Sequence, residues 1–147
     1  FIYQRIPIDD NINEDAGAKF FRAIEFLSRV FRCKGKVYVH CTMGASRAPT
    51  MVMAYLIARR QISLLDSYLY LQSLRSIVQP NAHFLYQLAE LEIQQGLGSS
   101  VIYRKEWRQY EYNALRPHIE VYRKPEGVFK TSWKLHTLEN AKLDYQP

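Results

Sequence analysis

Cysteine is scarce. The 147-residue chain holds two, Cys33 and Cys41, where a small secreted scaffold built on disulfides would use more. Apolar runs are short: none reaches the roughly 18 residues of a membrane span. No basic start leads into an apolar core and a small-residue cleavage site, so no signal peptide is read. The chain opens on Phe1 rather than Met, and residues upstream or processing are expected. Zinc-finger spacing and contiguous Lys/Arg blocks are absent, which argues against nucleic acid as a partner. Internal repeats and low-complexity segments are absent too. What remains is ordinary for a globular domain: 48% apolar and 23% charged residues, enough for one domain with some chain left over. The net charge of +6 reads as a solvated basic face that draws anionic partners by long-range steering.

Residues 1–8 (FIYQRIPI) are aromatic and β-branched and read as a strand, with Pro7 marking an edge or exit. Residues 9–15 (DDNINED) are polar and read as a loop. Phe20, Ala23, Ile24, Leu27, Val30 and Phe31 recur at three and four, which predicts a helix over 16–32 stopped by Gly35. Val37, Tyr38 and Val39 read as a short buried strand ending at His40. Helices are expected over 48–60, with Pro49 in the first turn, over 64–78, and from Asn81 as cap to about 95. A further helix is expected over 99–116 and an extended tail from 117 on. Two strands do not make a stable sheet by themselves. The sheet of this α/β chain is therefore expected to be incomplete, with upstream residues or a partner chain completing it.

The chemistry sits in Val39-His40-Cys41-Thr42-Met43-Gly44-Ala45-Ser46-Arg47. A strand entering a tight loop that opens a helix aims successive backbone N–H groups at one point, where the helix dipole adds positive potential. A tetrahedral phosphate fits such a cradle. Thr42, Met43, Gly44, Ala45, Ser46 and Arg47 are the expected phosphate-binding positions. The same field favours a thiolate, so Cys41 is the expected nucleophile and must be free, which implies a reducing intracellular compartment. Arg47 offers a planar fork to two phosphate oxygens, which Lys cannot. Gly44 lets the backbone turn. His40 is read as orienting the loop; tuning the thiolate is its other reading. Cys33 reads as a small apolar residue near a helix end. The leaving oxygen needs an acid, and Asp9 and Asp10 both lie in a suitable loop.

His-Cys-x5-Arg, as HCTMGASR, resembles the signature loop of the protein tyrosine phosphatase superfamily. IPIDDN, FFRAIEFL, PTMVMAYLI and QPNAHFLYQLAELE fall in the order seen in dual-specificity phosphatases. The resemblance covers about residues 3–95. It implies the C-terminal part of that fold, a central sheet with flanking helices, over residues 1–97, and a C-terminal extension over 98–147. It maps the general acid to Asp10, with Cys41 and Arg47 as the other catalytic residues. It implies hydrolysis through a cysteinyl-phosphate, with no metal and no cofactor. One position departs from the family: the residue after the Arg is Ala48 rather than Ser or Thr, which should slow breakdown of the intermediate. Plant-type glucan phosphatases also read Arg-Ala-Pro there.

None of the variable loop positions Thr42, Met43, Ala45 and Ser46 is basic, which sets polyphosphoinositides aside. Phosphotyrosine, phosphoserine or phosphothreonine of proteins is the expected substrate, with phosphoglucan as the alternative. A weakly active or inactive structural subunit of a larger assembly is the rival from another class. The extension interleaves Tyr103, Trp107, Tyr110 and Trp133 with Arg104, Lys105, Arg108 and Lys134, a composition suited to a protein interface. Docking of a protein partner and packing back on the domain are both open readings of it. The cytoplasm is the expected location, with an organelle as the alternative.

Overall fold

The apolar spacing of the first helical segment survives in three dimensions. The computed structural model describes residues 1–101, and in it α1 spans Gly17–Arg32 with Phe20, Ala23, Ile24 and Leu27 buried. Asp15 Oδ1 accepts the Ala18 N–H at 3.0 Å and so serves the open end of the helix. At the other end Lys34 takes the left-handed conformation (φ 53°). The Lys34 and Gly35 N–H groups bond back to the Phe31 and Val30 carbonyls at 3.0 and 2.9 Å, a Schellman closure. Gly35 is needed there for space rather than for its φ: a Cβ would lie 2.9 Å from Val30 Cγ1.

The second helix, α2 (Arg47–Arg60), is buried on most sides through Ala48, Pro49, Thr50, Met51, Met53, Ala54, Tyr55 and Ile57. A helix apolar all round belongs at the centre. It packs against α1 and against both later helices, α3 (Leu64–Leu74) and α4 (Ala82–Gln94). Phe84, Met53, Ile57, Leu64 and Leu88 are fully buried in the shared core, each stabilising the fold by about 1.5–3 kcal/mol. Glu92 is buried as well. Its carboxylate accepts the N–H groups of Leu64 at 2.9 Å and Ser100 at 3.0 Å, tying α4 to the start of α3.

Two expectations change. The helix expected over 64–78 ends at Leu74, where Arg75 turns extended (φ −145°, ψ 106°). Val78 is buried, the Gln79 N–H is used on the Ala45 carbonyl at 2.8 Å, and Pro80 disfavours helical backbone before it. A tertiary bond to another loop thus competes with the helical pattern. The strands expected over 1–8 and 37–39 do not form: among the described residues there is no strand. A strand exists through its ladder, and neither segment has a ladder partner among the described residues. Phe1, Ile2, Tyr3 and Tyr38 are accordingly exposed. From residue 102 on, the helix expected over 99–116 and the tail lie outside the described residues.

Candidate active site

The segment 41–47 runs directly into α2, so the first turn of that helix faces the loop. Gly44 makes the turn with φ 73°, a conformation costly for any residue with a Cβ. Its N–H donates to Cys41 Sγ at 3.2 Å. Burial pushes the Cys41 thiol up, but the backbone N–H groups of Ala48, Gly44 and Met43 and the charge of Arg47 outweigh it. The thiol ends below its ordinary range. The backbone supplies most of that effect, so Ala48 contributes through its amide although its side chain has no hydroxyl. Thr50 does not substitute for that hydroxyl. It is fully buried and donates back to the Ser46 carbonyl at 2.8 Å.

Arg47 lies across the loop. Its Nη2 donates to Thr42 Oγ1 at 2.8 Å and its Nη1 to the Ile8 carbonyl at 3.4 Å. Its Nε is buried and has no hydrogen-bond partner among the described residues. A buried donor left unpaired is costly unless an acceptor is supplied, and an anionic oxygen would supply one.

Of the two aspartates, Asp10 is the one that reaches the loop. Its Oδ1 accepts from Ser46 Oγ at 2.8 Å and from Asn81 Nδ2 at 2.8 Å. The Asp9 N–H donates instead to Glu14 Oε2 at 3.0 Å. Lys19 hydrogen-bonds the same Glu14 carboxyl and, with that N–H, holds it below the usual carboxylate range. Gln87 on α4 pins the far end of this loop, accepting the Gly17 N–H at 2.6 Å and donating to the Glu14 carbonyl at 2.9 Å. The segment that carries Asp10 is therefore fastened at both ends to the helical core.

His40 is exposed, and its ring stacks on Tyr38 with centroids 5.3 Å apart. Among the described residues it makes no hydrogen bond to the loop. Met43 is exposed on the rim, and its carbonyl accepts from Arg75 Nη2 at 3.3 Å. A Cβ on Gly44 would sit 3.5 Å from the Arg75 guanidinium. Neither Arg75 nor the side-chain amide of Asn81 was expected at the site. Asn81 read as a helix cap, and nothing in the residues around Arg75 signals that the α3–α4 connection folds over the loop. No group of metal-ligating side chains occurs among the described residues. A cleft of about 320 Å³ lined by Glu25, Ser28, Phe31, Arg32, Tyr55 and Arg59 shares no residue with this site.

The family model described as "Dual specificity phosphatase, catalytic domain" matches residues 1–94. Human dual specificity protein phosphatase 4 is 38% identical over 92 residues, which is 63% of this chain and 23% of that protein. Dual specificity protein phosphatase 5 of Rattus norvegicus is 41% identical over 90 residues, 61% of this chain and 23% of the relative. The chain thus spans about a quarter of the length of these relatives. The crystal structure of human tyrosine phosphatase-like serine/threonine/tyrosine-interacting protein superposes with a TM-score of 0.62 at 34% identity. That match covers 64% of this chain and 62% of the other. Human DUSP28 gives 0.61 at 28% identity, covering 63% and 62%. The fold is of the α/β dual-specificity phosphatase type, with its helices in place among the described residues. A family match over nearly all the described residues puts the chain in the dual-specificity phosphatase family, in its catalytic domain.

Proposed function

We propose that this chain hydrolyses phosphomonoesters on tyrosine, serine or threonine of proteins through a cysteinyl-phosphate. The observation that carries the reading is one juxtaposition. Cys41 Sγ accepts the Gly44 N–H at 3.2 Å beside the Arg47 guanidinium, while Asp10 is tied to the same loop through Ser46 at 2.8 Å. The Cys41 thiolate attacks phosphorus, the S–P bond forms, and the P–O bond to the substrate breaks. Asp10 gives its proton to the departing oxygen. Water then loses a proton to Asp10 and attacks phosphorus, the thiolate leaves, and phosphate is released. The loop amides and Arg47 bear the charge on the phosphoryl oxygens in both steps. The relatives' names, dual specificity protein phosphatases, support phosphoproteins over phosphoglucan.

The assignment divides the chain into a catalytic domain over 1–97 and an extension over 98–147 suited to docking a protein partner. A reducing intracellular compartment fits the thiolate. No described helix is long and apolar enough to cross a membrane. The test is turnover of para-nitrophenyl phosphate by the full-length protein beside a Cys41→Ser control. Activity that disappears in the control and withstands chelators is expected. A folded wild-type protein that turns over no faster than the control would overturn the catalytic reading.

A further inference from the structure

We propose that Ser46 and Asn81 are positioning residues for Asp10. Together they hold one carboxylate oxygen, Oδ1, and leave the other, Oδ2, as the atom that gives and takes the proton. This rests on Asp10 being the general acid.

Ser46 occupies the N-cap position of α2, yet its side chain makes no capping bond to that helix. The hydroxyl is buried, the residue being 4% exposed. It accepts the Asn81 N–H at 3.1 Å, and its own proton goes to Asp10 Oδ1 at 2.8 Å. The Ala48 N–H, the one a capping serine could take because Pro49 has none, is thereby left to face Cys41. Asn81 is constrained in a similar way. Its Oδ1 accepts the Phe84 N–H at 2.9 Å as the cap of α4, so its Nδ2 must point outward, where it donates to Asp10 Oδ1 at 2.8 Å. Rotating the amide by half a turn would set N–H against N–H and oxygen against carboxylate, losing both bonds.

Two donors therefore converge on Oδ1, and Oδ2 accepts no hydrogen bond among the described residues. The location of the acidic proton follows from this geometry. A proton on Oδ1 would face the Ser46 O–H and the Asn81 N–H, so the neutral acid carries its proton on Oδ2. In the first step Oδ2–H protonates the leaving oxygen as the P–O bond breaks and the S–P bond forms. In the second, Oδ2 takes a proton from the attacking water as the S–P bond breaks. Oδ1 remains an acceptor throughout. Asp10 is exposed on a polar loop, and without these two anchors its side chain would sample many rotamers, lowering the fraction poised for transfer.

The leaving group supplies the readout. A phenolate of low basicity departs with little help, and a basic one needs the acid. Ser46→Ala and Asn81→Ser, the latter keeping a capping side chain on α4, are compared with wild type on para-nitrophenyl phosphate and on phenyl phosphate. Each variant is expected to lose kcat/KM about 3-fold on the first and roughly 30-fold on the second, within the span of general-acid contributions. In an Asp10→Asn background neither substitution should add to the leaving-group dependence. In Asn81→Ser, which lies outside the phosphate-binding loop, vanadate affinity and the Cys41 alkylation rate should stay within about 2-fold of wild type, a change of under about 0.5 kcal/mol.

Equal losses on both substrates, or a leaving-group effect that persists in Asp10→Asn, would overturn the proposal. An Asp10→Asn protein with wild-type leaving-group dependence would instead remove Asp10 as the acid, and the positioning role of Ser46 and Asn81 with it. Amide hydrogen exchange of residues 9–13 in Cys41→Ser protein needs no turnover. Protection there should fall at least about 10-fold on Ser46→Ala, and unchanged protection would overturn the anchoring.

Discussion

Two helices of this domain begin on serine, and the serines have different fates. Ser63 opens α3 as a cap, its Oγ accepting the Asp66 N–H at 3.1 Å while donating to Asp66 Oδ2 at 2.9 Å. Ser46 opens α2 and caps nothing, because its hydroxyl is committed to Asp10 and Asn81. At α3 the first-turn N–H groups are all taken, Asp66 by Ser63, Leu64 by Glu92 and Leu65 by Ser100, and the helix end is closed. At α2 the Ala48 N–H stays directed at the loop, where it favours a thiolate on Cys41. A helix N-terminus becomes an anion site when its cap is withheld. The comparison separates a residue that maintains a helix from one of the same type that leaves a helix end open for chemistry.

The largest effects belong to the open end. Cys41→Ser should lower kcat by roughly 10³-fold or more, since no other group can form the covalent intermediate; single-turnover trapping of phosphoenzyme checks it. Arg47→Lys should cost about 10²–10³-fold in kcat/KM, the scale of losing a preorganised donor and a bidentate clamp. Residual activity near wild type would show that the loop amides suffice. The serine pair sharpens the contrast. Ser63→Ala should cost about 1 kcal/mol of stability in denaturant melts with kcat/KM nearly unchanged. Ser46→Ala should lower kcat/KM in addition to stability, the buried Asn81 N–H losing its acceptor, and a stability loss without a rate effect would break the comparison.

Smaller shifts follow. Ala48→Ser, by placing a hydroxyl beside the sulfur, should speed breakdown of the phosphoenzyme by up to about 10-fold, or about 1.4 kcal/mol. Burst amplitude in rapid quench reads it. The alkylation rate of Cys41 against pH should show a midpoint below that of an ordinary thiol. Arg47→Ala should move it up only in part, since the amides of Ala48, Gly44 and Met43 remain. The depressed value also enters stability. Between the folded and unfolded pKa the unfolded chain binds more protons. The stabilisation from Cys41 thus grows as pH rises through that window and is lost as pH falls through the folded value. Melts of Cys41→Ser should lack this slope.

The helices were legible in the residues because their signals are local. Phe20, Ala23, Ile24 and Leu27 mark one face of α1, and Asn81 caps α4 within three residues of itself. The loop was legible too, since Cys41, Gly44 and Arg47 lie within seven consecutive residues. Residues 1–8 and 37–39 misled, because β-branched and aromatic content announces a readiness to pair and a ladder needs a second chain segment. The end of α3 misled because the competing bond, Gln79 N–H to the Ala45 carbonyl, joins residues distant in sequence.

By itself, then, the amino-acid order marked residues 41–47 as a tight loop opening a helix and marked which stretches would coil, both being matters of neighbours along the chain. It could not decide between Asp9 and Asp10 without appeal to a family pattern. Only the tertiary structure brings the Asp10 carboxylate to Ser46, 36 residues on, and to Asn81, 71 residues on. It also lays Arg75 over the loop at Met43, 32 residues away. Hydrogen bonds act over about 3 Å whatever the sequence separation. Which donors converge on one carboxylate is therefore set by the packing of α2 and α4, and no periodicity in the chain encodes it.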